Sequence, residues 1–392
     1  YHPSGPEEIS WKMEFIELCN SSPISVDLSG WKLRGEVDFE IPEGVRLGGG
    51  EFLIIAADPA SYSEVDVPVL GPWRGELSNK NGLVRIRKAS GGIVLETEYR
   101  DESPWPFAAD GAGHSLVLAR PSFGESKAEA WSASRNAGGS PGRVDPPVTS
   151  PLASVIISEV LSASDPLEDD FVEFYNSGPD PADLSGSFIS NERDLPGFII
   201  PPGTILAPGA YLAFPAGVLG FVFDEMGDEI FLRAPDGLQV IAARKLGAQE
   251  TGHSRGGLTR WIELVNPTPG LPNSAPHRRE IVINEVHYHP LKGEGEFIEV
   301  ANFGSDAVDL SGWELRDGLE FTFPMGSSIP AGGFLVIAEN RASLLTGRSG
   351  LDPMQVLGDY AGSLSNSGER IELRNAAQAV VDEVSYVDGG RW

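Results

Sequence analysis

Apolar residues along the chain fall into short runs such as those within GEFLIIA from Gly50, GAYLAFP from Gly209 and GFLVIAE from Gly333, many of them alternating with polar positions. The runs are bounded by Gly, Pro, Asn and Asp at intervals of roughly ten residues, the spacing expected of antiparallel strands joined by tight turns. No apolar periodicity of 3.6 persists long enough to predict a long helix. The pattern therefore predicts an all-β chain built as sandwiches or barrels.

Comparison of the chain with itself shows three copies of one pattern, which sets the architecture before any single residue is interpreted. The motif Asp-Leu-Ser-Gly stands at Asp27–Gly30, Asp183–Gly186 and Asp309–Gly312, followed by Trp31, Ser187 and Trp313. Upstream lie EFIELCN from Glu14, DFVEFYN from Asp170 and EFIEVAN from Glu296. Downstream come IPEG from Ile41, IPPG from Ile200 and FPMG from Phe323, and then the Gly-led apolar runs from Gly50, Gly209 and Gly333. A later segment recurs from Leu77, Phe223 and Leu364. Each copy is long enough to bury its own core, so the expected domains are 1–145, 154–275 and 280–392. The Pro-rich joints, RVDPPVTSPLA from Arg143 and LPNSAPHRR from Leu271, predict extended, semi-rigid spacing. The first copy is expected to lack its first strand and the third its final segment, as in an excerpt of a longer polypeptide or a chain completed by strands from its neighbours.

Composition narrows the functional classes. A net charge of −28 and a pI near 4.5 exclude a phosphate-backbone partner, which needs a Lys/Arg footprint, and disfavour an anionic membrane surface. No apolar stretch is long enough to insert in a membrane. The single cysteine, Cys19, excludes an internal disulfide framework, and its apolar neighbours predict a small buried side chain.

The ordered elements of the third copy, INEVHYHP, EFIEVAN, DLSGW, FPMG, FLVIAEN, LSNSGERIELRN and VDEVSYVDGGRW, resemble a bacterial lamin-tail domain almost throughout. The first copy resembles it nearly as well, whereas the second lacks the Trp after the Gly and the LSN turn. The resemblance implies three tandem immunoglobulin-like antiparallel β-sandwiches. It also implies a module of a large exported or surface protein, repeated beside catalytic or adhesive domains.

Several residue groups invite chemistry. The motif residues Asp27, Gly30, Trp31, Asp183, Gly186, Asp309, Gly312 and Trp313 are expected to be structural: Asp caps its own backbone two residues on, Gly takes the left-handed turn position and Trp packs inward. Glu17, Glu173 and Glu299, with Glu14, Asp170 and Glu296, are spaced three apart on a strand and so face opposite ways, which argues against an acid/base pair and for a solvated, edge-protecting charge. Glu285, His287 and His289 alternate, a spacing that would put three metal ligands on one face of a strand. Glu168, Asp169 and Asp170, and Asp224, Glu225, Asp228 and Glu229, offer hard oxygens to calcium, the one cofactor considered. His114-Ser115 and His253-Ser254 lack the nucleophile elbow of a hydrolase. Trp73, Trp105 and Trp261 would stack on sugars if they shared one exposed face.

These features together lead to the expectation of a non-catalytic structural or adhesive scaffold module of an extracellular or cell-surface bacterial protein, with protein partners or self-association. The alternatives are a carbohydrate-binding or targeting accessory region of a larger surface hydrolase and a subunit of an extracellular filament completed by strand exchange between neighbours, with polysaccharide as a further partner.

Overall fold

The computed structural model describes residues 1–101, 103–147, 150–164, 169–193, 197–258, 261–277, 280–291, 295–348 and 350–387. Strands dominate, and the longest helix among the described residues is Arg341–Gly347. The chain divides into two compact units, Tyr1–Ser158 with Glu173–Phe221 and Glu229–Lys245, and Glu159–Val172 with Val222–Asp228 and Leu246–Trp392. The division passes through the second copy of the repeat.

In the first unit, the first copy forms a sandwich. One sheet orders Phe15–Cys19, Phe52–Ala56 and Val69–Leu70, and the other orders Ile93–Arg100, Asn81–Arg87, Lys32–Gly35, Val37–Glu40 and Arg74–Gly75. Strand parity explains the apolar run FLIIA. Leu53 and Ile55 enter the core with Leu33 and Ile86, while Ile54 and Ala56 pack on the far side against Phe15 and Tyr62. The strand is thus covered on both faces, which removes the usual polar alternation. Part of the second copy completes this unit with a four-stranded sheet ordered Phe198–Ile199, Phe188–Ser190, Glu229–Arg233 and Val240–Lys245.

In the second unit, the third copy repeats the sandwich. Ile281–His287, Phe297–Asn302, Phe334–Ala338 and Val356–Gly358 form one sheet, and Ala361–Gly362, Leu319–Thr322, Glu314–Asp317, Gly368–Arg374 and Val380–Val387 the other. The helix Arg341–Gly347, capped by the Asn340 side chain accepting from Ser343 N, places Leu344 over Val336 and Ala338. The remainder of the second copy contributes Arg255–Gly256, paired with Glu159–Val160 on one side and with Ile262–Glu263 on the other.

One hydrogen-bonded bracket recurs in all three copies and accounts for the repeated motif. Asp27 Oδ1 accepts from Ser29 N at 3.0 Å, as Asp183 does from Ser185 N and Asp309 from Ser311 N, at 3.0 and 2.9 Å. The Ser hydroxyl then accepts from the turn glycine of the downstream Pro-x-Gly: Gly44 N at 2.9 Å, Gly203 N at 2.8 Å and Gly326 N at 2.9 Å. Gly30, Gly186 and Gly312 take φ of +67°, +76° and +75°, where a Cβ would be strained. The Leu between Asp and Ser is buried in each copy.

A second bracket is centred on Asn20, Asn176 and Asn302, all buried. Each Nδ2 donates to two carbonyls, those of Ile24 and Leu47, Asp180 and Leu206, and Asp306 and Ile329, at 2.8–3.0 Å. Each Oδ1 accepts a backbone N–H two residues on, from Ser22, Gly178 and Gly304. A third recurring device holds the LSN turn. Tyr99 Oη donates to Ser78 O and Tyr386 Oη to Ser365 O, with Tyr1 and Tyr288 stacked on these rings at 4.6 and 4.4 Å.

Two expectations are corrected here. Cys19 is exposed, because Ile16 and Leu18 take the core face of their strand and Cys19 shares the opposite parity with Phe15 and Glu17. Trp31 and Trp313 are half-buried at the core margin, and the deeper anchor is the preceding Leu. Leu310→Ala should therefore cost about 2–5 kcal/mol, and Trp313→Ala less than the ~3–5 kcal/mol of a fully buried aromatic. Denaturant midpoints of the two variants check this, and the reverse order would show the Trp to be the anchor.

Candidate functional site

The recurring carboxylates hold loops. Glu14 Oε2 accepts from Leu77 N at 3.1 Å, and Glu296 Oε2 from Leu364 N at 2.8 Å and Tyr360 Oη at 3.0 Å. Asp170 Oδ1 accepts from Ser164 N at 3.0 Å. Of the second set, Glu17 accepts from Gly142 N, Glu173 from Ser158 Oγ and Glu299 from Asn284 Nδ2. Glu14 and Glu173 are buried, so the expectation of a solvated face fails for them: Glu14 precedes its strand and turns in to Leu77 N, and Glu173 is held by Ser158. Desolvation raises the Glu14 pKa to about 7 and pushes Glu17 up as well.

Glu159, fully buried, shows what a carboxylate at the Glu285 position of the repeat can do. It accepts from Ser254 Oγ, Thr268 N and Thr268 Oγ1 at 2.5–2.8 Å, clasping the last segment of the second copy. Glu285 itself is exposed.

Within the first unit, the first copy and its share of the second are joined by buried polar groups. Asp110, 2% exposed, lies 2.5 Å from His2 Nδ1 and 3.2 Å from Arg193 Nη2. Arg193 also donates to both oxygens of Glu229. Phe107 stacks on Phe231 at 5.6 Å, with the Arg193 guanidinium 5.8 Å from the Phe107 centroid. His114, 4% exposed, has Nδ1 2.7 Å from Ser134 O and accepts from Val240 N at Nε2, 3.0 Å away. An acceptor Nε2 assigns the neutral tautomer with its proton on Nδ1, and burial lowers the pKa of this ring. The Asp145 carboxylate, in the first Pro-rich joint, accepts from Arg135 N and Ser140 Oγ. The joint is thus tethered rather than a free spacer.

The residues proposed as metal ligands do not converge. Pro290 follows closely on a strand that ends at His287, so His289 leaves the alternation, and a bulge between Ile283 and Glu285 shifts the register. His287 stacks on Phe297 at 5.0 Å, and its Nε2 lies 3.2 Å from Arg348 Nη2, a donor where a cation would need a lone pair. Of the calcium candidates, Glu168 lies outside the described residues and Asp170 is engaged by Ser164. Asp224 Oδ1 caps Met226 N, and Asp228 Oδ2 accepts from Asp224 N. Trp73 and Trp105 are buried in the first core, 7% and 8% exposed, which removes them from any sugar-stacking platform.

Among the described residues, the group of His, Cys, Asp and Glu side chains that does converge is His253, Glu263 and His277, with one ligand atom of each within 4.8 Å of the others. Glu263 Oε1 is 3.2 Å from His277 Nδ1 and 4.0 Å from His253 Nδ1, and the two rings lie 4.6 Å apart. Three backbone segments carry them: Leu264 N donates to Ser254 O, His277 N to Glu263 O and Val265 N to Ala275 O. The second Pro-rich joint therefore runs antiparallel beside Ile262–Glu263, bridging at Leu264 and Pro276. Sequence reasoning missed this group because its members are spread over 25 residues in no local spacing. A usable signal was the alignment of the two late segments: His253 matches His114 and Trp261 matches Trp131, but Glu263 stands where the first copy has Ala133.

The family model of the lamin tail domain matches residues 149–248 and 274–388, more than half of the chain. The chain belongs to the lamin-tail-domain family. Its immunoglobulin-like all-β fold and tandem arrangement follow from that match and from the sheets described above. The first copy lies outside the matched residues, yet it carries the same Asp-Ser-Gly and Asn brackets at the same positions. No curated protein matches the chain.

The buried groups of the first unit predict opposing pH effects. Unfolded His114 takes up a proton below about pH 6.5 that the folded ring resists, so its contribution to stability falls as pH drops through 6.5. Glu14 acts in the other sense: between its ordinary 4.5 and about 7 the unfolded chain releases a proton that the folded carboxyl retains, and stability falls as pH rises. Relative to the parent chain, His114→Gln should gain melting temperature as pH falls from 7 to 5, and Glu14→Gln as pH rises from 4.5 to 7. Parallel melting curves across pH for all three proteins would contradict both assignments.

Proposed function

We propose that this lamin-tail-domain chain is a non-catalytic structural or adhesive scaffold module of an extracellular or cell-surface bacterial protein, acting through protein partners or self-association. The observation that carries this reading is the joint of buried Asp110 with half-buried Arg193 and Glu229 in the first unit, reinforced by Phe107 on Phe231. A chain that sets charges and aromatics between repeats is built to hold them at fixed spacing, since such a joint resists hinge motion. The polar residues that recur from copy to copy support the same reading. Among the described residues they are engaged in holding backbone turns rather than gathered for acid/base or nucleophilic work. A net charge of −28 favours solubility and mutual repulsion of such modules.

The spacer reading is tested by spin labels on Cys19, the single and exposed cysteine, and on Val218→Cys, which is 55% exposed in the same unit. A narrow distance distribution is expected in this chain and a broad one once Arg193→Ala is added. A broad distribution before Arg193 is touched would overturn the reading.

A further inference from the structure

We propose that His253, Glu263 and His277 form a zinc site, held on the three hydrogen-bonded segments of the second unit described above. Two imidazoles and one carboxylate are the donor set of a three-ligand zinc centre, with a fourth position left for water or an incoming donor. Bond lengths of ~2.0–2.2 Å in a tetrahedron place ligand atoms about 3.4 Å apart. The 3.2 and 4.0 Å separations from Glu263 Oε1 lie on either side of that value; His253 Nδ1 also lies 3.2 Å from Leu264 O, so this ring turns from the carbonyl to offer its lone pair to the metal.

Glu263 is the second, independent indication. Its side chain is 11% exposed, and Oε1 is shielded from solvent with no hydrogen-bond partner among the described residues, its neighbours being the two imidazoles. A buried carboxylate oxygen without a donor is costly unless a cation completes it. The backbone around it is already fixed by the hydrogen bonds from His277 N and Leu264 N, so the ligands need little ordering on binding. Glu263 and His277 also line a groove of about 380 Å³ together with Glu250, Glu280 and Trp313, which gives a cation access through an acidic approach. Imidazole donors select zinc over calcium, which prefers an all-oxygen shell of six to eight ligands.

The first copy does not repeat the site. In the first copy the matching histidine, His114, is buried with both ring nitrogens engaged, and Ala133 stands at the position of Glu263. The zinc would tie the joint around His277 to the last strand of the second copy, adding a metal clasp where the chain otherwise relies on a few backbone hydrogen bonds.

Zinc is titrated calorimetrically into the untagged, chelator-stripped full chain, and into His277→Ala, Glu263→Gln and His287→Ala. One equivalent bound by the parent chain and by His287→Ala, with at least tenfold weaker binding in the other two, is the expected result. Circular dichroism checks that each variant folds. His277 is 37% exposed, and Glu263→Gln keeps the side chain's shape should the His277 variant misfold. Absence of stoichiometric zinc binding, unchanged affinity in His277→Ala or Glu263→Gln, or calcium binding as tightly as zinc would each overturn the proposal.

Discussion

The structure depends on satisfying the backbone where strands turn from one sheet to the other. A chain with Gly and Pro at about a fifth of its positions spends much of its length in turns, where N–H and C=O groups lack sheet partners. The buried amides of Asn20, Asn176 and Asn302 meet that need, each serving three backbone groups at once. The Asp-Ser-Gly bracket serves the neighbouring turn. With these corners fixed, the apolar runs between them have one register available, and the core follows.

This explains which parts of the molecule were legible in the sequence. Fold class, repeat order and the roles of Asp and Gly in the motif could be read because they are local: Asp27 Oδ1 reaches Ser29, two residues on, and Gly30 answers a backbone angle. Burial was misjudged where one face was assumed to be wet. Glu14 and Glu173 looked like surface charge because a strand in a sandwich ordinarily has a solvated side, whereas each is drawn in by a distant hydrogen-bond donor, Leu77 N and Ser158 Oγ. Cys19 was misplaced for the converse reason, since its apolar neighbours drew attention away from its parity. The His253, Glu263 and His277 group depends on a joint folding back against a strand, a tertiary event that no spacing rule anticipates.

The joints differ in kind from the repeats they connect. Within a copy, stability rests on apolar packing and on hydrogen bonds from backbone to Asn and carboxylate side chains of the same copy. Between the first copy and its share of the second, it rests on Asp110, Arg193 and Glu229, on stacked rings and on a neutral histidine. Buried charges of this sort add little net stability but penalise any arrangement that separates them.

That penalty bears on how such a protein can be rearranged by recombination. A crossover in the Pro-rich segment after Arg143 looks harmless, since it falls between copies and interrupts no strand. It would nonetheless part Asp110 from Arg193 and leave a carboxylate that is 2% exposed without its guanidinium. The first copy and the part of the second that carries Arg193 are therefore best exchanged together, and shuffling libraries that respect this pairing should retain more folded members than libraries cut at the visible seam.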